Sequence, residues 1–275
     1  MKKRVYVVLH RVLVALFLLL ALFPIYWMLN TSLKTDTEVF RMNPTLWPEK
    51  LTFDNFKAMA SDPVFLNALK NSLLIALAVV AFSILVAFPA AYAIARIEFK
   101  GRKIYSKAVL FGYLLPSSLM YIPLYIVVSR VGLTNTIWGM MLIYPTLTLP
   151  YCCWVLIPHL RAIPKEVEEA AIIDGCTKWG AMIRIAFPLS LNGIVTTMIF
   201  AFSLCWGEYL YALVNLTSTA VKTFPVVISD LIYGDLVPWG KIMAAGILSS
   251  LPVLILYTLS NSLLSADRGS GAVKG

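Results

Sequence analysis

Residues Ile163–Pro188 read IPKEVEEAAIIDGCTKWGAMIRIAFP and decide how the rest of the chain is understood. Glu166, Glu168, Glu169 and Asp174 stand among Lys165, Lys178 and Arg184, with Arg161 just upstream, in a chain that averages 13% charge. Hydrocarbon cannot host such a segment, so it must protrude from any membrane its neighbours cross. The apolar residues keep helical spacing on both sides of Gly175, which predicts a docked helix–turn–helix rather than a slack loop. A structured, charged elbow of this kind is built to grip a soluble partner.

Outward from the elbow the chain is apolar. The 275 residues are 60% hydrophobic, against about 45–50% in ordinary soluble domains. Charge-free windows run over 12–33, 71–95, 108–129, 131–160, 185–207 and 242–266, each at least 22 residues long. A helix needs about 20 residues to cross the hydrocarbon core. The reading is an all-α, polytopic membrane protein with six transmembrane helices in a single domain, 1–275. The expected spans are 12–33, 71–95, 108–129, 135–157, 189–210 and 242–264. The elbow loop is 161–188, and the tail, 265–275, is polar and Gly-rich.

If the N-terminus lies inside, fifteen Lys and Arg, among them Arg96, Arg102, Lys165 and Lys274, fall on the cytoplasmic side and eight outside. That bias predicts both termini and the elbow in the cytoplasm, and a multi-pass protein of the cytoplasmic membrane. The net charge of +9 is then positive-inside anchoring, since no soluble basic face with interleaved aromatics exists for nucleic acid. The basic start and apolar run imitate a secretory signal. The run continues through Pro24–Met28 without a small-x-small cleavage site and reads as an uncleaved first span.

Ala87, Ala91 and Ala95 form a row of small residues, which either admits a close neighbouring helix or reflects the helix preference of Ala. Pro116, Pro123, Pro145, Pro150 and Pro158 fall in the third and fourth spans. They are either ordinary tolerated prolines or kinks in a bundle that bends or lines a path. Cys152, Cys153, Cys176 and Cys205 read as free thiols, and two histidines far apart make no metal site. HExxH, GxSxG and paired carboxylates within a span are missing from the sequence, and GSGAVKG lacks the order of a phosphate-binding loop. The chain is read as a non-enzyme that does not hydrolyse ATP by itself.

Within the elbow, Pro164 suits the first turn of a helix and three glutamates sit at its positive dipole end. Val167, Ala170 and Ala171 supply a small apolar face. Asp174-Gly175 ends the helix. A second helix follows with Trp179, Met182, Ile183 and Ala186 on one face, and Pro188 opens span five.

Glu169-Ala170-Ala171, three residues, Gly175, nine residues, Ile185, one residue and Phe187-Pro188 resemble the EAA loop of permease subunits of binding-protein-dependent ABC importers. Phe187 stands where that pattern has Leu. WGEYLYAL at 206–213, KTFPV at 222–226 and PTLWPEKLTFDNF at 44–56 extend the likeness to the maltose-type (MalG-like) carbohydrate permeases. The resemblance implies the type I ABC importer permease fold and a sugar or sugar derivative as cargo. It also implies a second permease subunit, two ATPase subunits and an extracytoplasmic solute-binding protein as partners. This chain would bind no cofactor, with ATP and Mg on the ATPase subunits. Glu169, Ala170, Ala171, Asp174, Gly175, Ile185 and Pro188 would then form the coupling element. The competing class is an ion-gradient-driven secondary transporter, which needs ionisable residues at the membrane midplane.

Glu208 is the one acid at the end of a span, with Trp206, Tyr209 and Tyr211 beside it. Two readings stand: an interfacial aromatic belt, or a pore mouth where rings stack on a sugar and the carboxylate accepts its hydroxyls.

Overall fold

The computed structural model describes residues 2–233 and 237–271. The helices are α1 (Lys2–Ser32), α2 (Asp36–Val39), α3 (Asp54–Ala60), α4 (Pro63–Arg96), α5 (Arg102–Leu114), α6 (Ser117–Arg130), α7 (Ile137–Ile143) and α8 (Pro145–Ala162). They continue with α9 (Lys165–Ile173) and α10 (Lys178–Ala181), then a π-helical turn (Met182–Ala186) and α11 (Phe187–Leu189). The last four are α12 (Leu191–Trp206), α13 (Leu210–Asn215), α14 (Phe224–Asp230) and α15 (Trp239–Gly271).

Four stretches are long and apolar enough to cross a membrane unaided: Leu9–Ser32, Pro63–Arg96, Ile137–Ala162 and Trp239–Ser260. Two more qualify as bent pairs, so the chain has up to six spans among its described residues. The expected third span, 108–129, is not one straight helix, because α5 and α6 meet at 96°. Pro116 causes the break: it disfavours helical backbone at the residue before it, and Leu115 is extended at φ −63°, ψ 129°. The expected fifth span, 189–210, ends at Trp206 and is bent by 74° from the elbow helices that lead into it. α4 starts at Pro63, ahead of the expected boundary, because the Asp62 carboxylate accepts from the Val64 amide at 2.8 Å and Pro63 needs no amide partner. α15 continues to Gly271, beyond the expected end at 264. Residues 272–275, including Lys274, lie outside the described residues.

The chain divides into two compact units. In the first (1–66 and 228–251), Asn55 is buried and donates from Nδ2 to the carbonyls of Ser32 and Lys34, both at 3.0 Å. This ties α3 to the end of α1. Glu38 is also buried and accepts from the Thr45 hydroxyl at 2.6 Å and the Glu49 amide at 3.0 Å. Lys34 stands 5.4 Å over the Trp27 ring.

The second unit (67–227 and 252–275) is organised on α8, whose Cys152, Leu156 and Leu160 are fully buried. The small-residue row on α4 does admit a close neighbour. Ala87, Ala91 and Ala95 are buried, Cys153 Sγ lies 3.7 Å from the Ala87 carbonyl, and Ser83 and Thr148 share a hydroxyl hydrogen bond of 2.6 Å. A Cβ on Gly193 would stand 2.6 Å from the His159 ring, so α12 passes close to α8 there.

Candidate functional site

The elbow is a helix–turn–helix as its spacing predicts. α9 ends in a Schellman motif, with the Cys176 amide donating to the Ala171 carbonyl at 2.9 Å and the Gly175 amide to the Ile172 carbonyl at 3.0 Å. Gly175 supplies the left-handed residue this requires, at φ +94°. Thr177 then caps α10, its Oγ1 accepting from the Gly180 amide at 3.1 Å.

The second helix is less regular than its spacing predicts. Met182 and Ala186 are buried while Trp179 and Ile183 are exposed, and Trp179, Met182 and Ile183 line one cavity with Phe88 and Phe187. A π-helical turn runs over Met182–Ala186. Phe187, in the place of Leu, packs edge-on against Phe88 with ring centroids 5.2 Å apart. Ile185 is half-buried and Pro188 exposed.

The three glutamates divide. Glu166 and Glu169 are exposed, but Glu168 is buried at 6% exposure. Its carboxylate accepts from Arg96 Nε and from the Tyr92 hydroxyl, each at 2.8 Å. Dipole stabilisation at the helix start therefore does not account for Glu168. Sequence reasoning missed this cluster, yet a signal existed. Arg96 is the first charge after a long apolar run, and Tyr92 lies one turn before it on the same helix face. Glu169, Ala170 and, at 84% exposure, Ile173 form the outer face of α9, and Asp174 and Gly175 just past its end are exposed as well. Ala171 is half-buried beneath them. Val167 is likewise exposed.

At the end of α12, Glu208 sits before α13 and caps it. One carboxylate oxygen accepts from the Tyr211 amide at 2.8 Å, the other from the Ala212 amide at 3.1 Å and the Tyr144 hydroxyl at 2.9 Å. The Tyr211 ring is buried at 2% exposure, and its hydroxyl donates to the Ser117 carbonyl at 2.7 Å. Trp206 is buried at 5%, between Phe202 and Phe224, with centroids 5.4 and 4.7 Å away. Tyr209 is half-buried. Trp206 and Tyr211 thus pack inside the protein. Glu208 and Tyr211 do line a cavity of about 260 Å³ together with Tyr113, Ser117, Thr146 and Leu204.

These features define a multi-pass helical membrane protein that carries one structured elbow rooted in its helices and exposed on its outer face. Residues 80–268 match the family described as the inner membrane component of binding-protein-dependent transport systems, and the chain belongs to that family. It is 32% identical to the trehalose/maltose transport system permease protein MalG of Thermococcus litoralis, covering 99% of this chain and 98% of that one. It is also 32% identical to the diacetylchitobiose uptake system permease protein DasC of Streptomyces coelicolor, covering 92% of each. The inner membrane ABC transporter permease protein YcjP of Escherichia coli is 31% identical, over 95% of this chain and 94% of its own length. A bacterial ABC transporter involved in the import of the acidic polysaccharide alginate has a chain of the same fold. The TM-score is 0.81 at 20% identity, over 95% of this chain and 97% of that chain. The fold is that of a type I ABC importer permease, in a multi-pass inner-membrane protein.

Proposed function

We propose that this chain is the permease subunit of an ATP-driven importer that moves a carbohydrate or sugar derivative into the cytoplasm, with the elbow docking on its ATPase subunits. One observation carries the docking: α9 buries Glu168 at its root while Glu169, Ala170, Ile173 and Asp174 stay exposed. An acid flanked by small and aliphatic groups suits a groove with a basic or polar contact inside it. Ala170 and Gly175 let backbones approach. The relatives named for trehalose, maltose and diacetylchitobiose support a sugar as cargo. The alginate transporter, also solved in complex with a pentasaccharide-bound periplasmic protein, supports a solute-binding protein as partner. The remaining partners are a second permease subunit and two ATPase subunits that hold ATP and Mg. This chain has no nucleotide site of its own, and its termini and elbow face the cytoplasm.

Closure of the ATPase subunits on ATP displaces a docked elbow, and the helices rooted in it follow as a rigid body. The cavity beside Glu208 is the segment of the solute path proposed within this chain, supported by its mixed lining of Glu208, Ser117, Thr146 and apolar side chains. Glu169→Lys tests the docking in complexes purified with the partner subunits. Facing a basic groove, it should reach the membrane at the wild-type level yet lower solute moved per ATP by about five-fold or more. Wild-type transport per ATP at equal assembly would overturn the coupling role.

A further inference from the structure

The Arg96 guanidinium does more than pair with Glu168. Its NH2 group also donates to the carbonyl of Ile163, the residue that closes α8, at 2.6 Å. The pair is sealed from solvent, with side-chain exposures of 8% for Arg96 and 7% for Glu168. One guanidinium therefore joins the end of α4, the end of α8 and the first turn of α9.

The chemistry of this junction fixes direction as well as distance. A planar guanidinium bonded along two of its N–H vectors cannot rotate without breaking one of them. Tyr92 and Arg96 are one turn apart on α4, so the carboxylate of Glu168 is held by two donors from a single helix face. A buried ion pair is a poor device for stability alone, because an apolar pair of equal volume serves that purpose as well. The elbow's other attachment is of a different kind. It runs through the π-helical turn and a 74° bend, and rests on apolar contacts such as Phe187 against Phe88, which can slide.

We propose that Tyr92, Arg96 and Glu168 are positioning residues that lock α9 to α4. A displacement of the docked elbow then reaches the long helix Pro63–Arg96 as a rigid lever instead of being absorbed at the elbow's root. This rests on the elbow reading above and adds to it the route by which motion enters the membrane helices.

The test uses the whole importer in liposomes, measuring solute uptake and ATP hydrolysis together. Glu168→Gln keeps the shape and an acceptor for Tyr92 but removes the charge. It should leave the ATPase subunits co-purifying at the wild-type level while solute moved per ATP falls by about five-fold or more. Tyr92→Phe keeps every charge, is safe for folding, and should lower the same ratio by about two-fold. Ser83→Ala, which also deletes a buried hydrogen bond in this unit, controls for stability and should leave the ratio unchanged. A wild-type ratio in both Glu168→Gln and Tyr92→Phe overturns the lever, as does loss of the ATPase subunits from Glu168→Gln, which would make it a docking residue. If Glu168→Gln does not reach the membrane, Tyr92→Phe alone decides. Glu169→Lys run in parallel separates the two claims. If it uncouples while Glu168→Gln and Tyr92→Phe do not, the elbow docks but the lever is wrong. If Glu169→Lys itself keeps wild-type coupling, the docking has failed.

Discussion

Gly175 takes φ +94° at the end of α9, and a Cβ built there would meet nothing within 4 Å. Its requirement is therefore entirely one of backbone conformation. Gly175→Ala should cost about 1–2 kcal/mol of stability, the ordinary penalty for a left-handed residue with a Cβ. Gly175→Asn should cost less and Gly175→Val more, measured by thermal unfolding of the purified protein. Equal losses for Asn and Val would contradict the conformational account. Glu38 offers a residue-scale test by pH. The Thr45 hydroxyl, with help from the Glu49 and Lys50 amides and Lys34, holds its carboxyl below the ordinary carboxylate value despite burial. A lowered folded value means stability that is present above the ordinary value and lost as pH falls through the folded one. The wild type should thus be the more stable protein at neutral pH. It should also lose melting temperature faster than Glu38→Gln as pH drops below the ordinary carboxylate range. Parallel acid limbs for the two proteins would remove Glu38 from the account.

Among the elements, the α5–α6 break decides what surrounds the Glu208 cavity. At the start of α6 the Ser117 carbonyl accepts from the Tyr211 hydroxyl at 2.7 Å, which ties α13 to the break. Tyr211→Phe deletes this hydrogen bond, whose net contribution is about 0.5–1.5 kcal/mol. Its melting temperature should fall measurably, whereas an unchanged value would mean that water or another donor replaces the hydroxyl. The existence of the membrane helices was legible in the charge-free windows, because hydrocarbon excludes charge irrespective of helix direction. The same windows hid the 96° turn at Leu115-Pro116, since composition counts residues and not the angle between turns. In the elbow, Pro164 and Gly175 marked the two ends of α9, and the structure follows them, whereas Pro188 lies within α11 and the span helix opens only at Leu191. The π-helical turn was not legible, as nothing in MIRIA sets it apart from ordinary helix. The division of labour between Glu168 and Glu169 was hidden for a related reason. Which of two adjacent acids turns inward depends on where Arg96 lies, and Arg96 is 72 residues away from Glu168 in the chain. At Glu208 the charge was visible from the sequence, but its role as the cap of α13 depends on a helix too short to show a period.

For the molecule as a whole, the central claim is that the exposed face of α9 meets an ATPase on the cytoplasmic side while the loop after α1 lies on the other side. Both parts are tested by one measurement in intact cells that express the complete importer. A photo-cross-linking amino acid is placed either at position 169, on the exposed face of α9, or at Met42, which is 100% exposed in the loop between α2 and α3. After illumination, the adducts are identified by mass. The account predicts an adduct between position 169 and the ATPase subunit, and none with that subunit from position 42. An ATPase adduct from position 42, or none from position 169 in a complex that still transports, would contradict it.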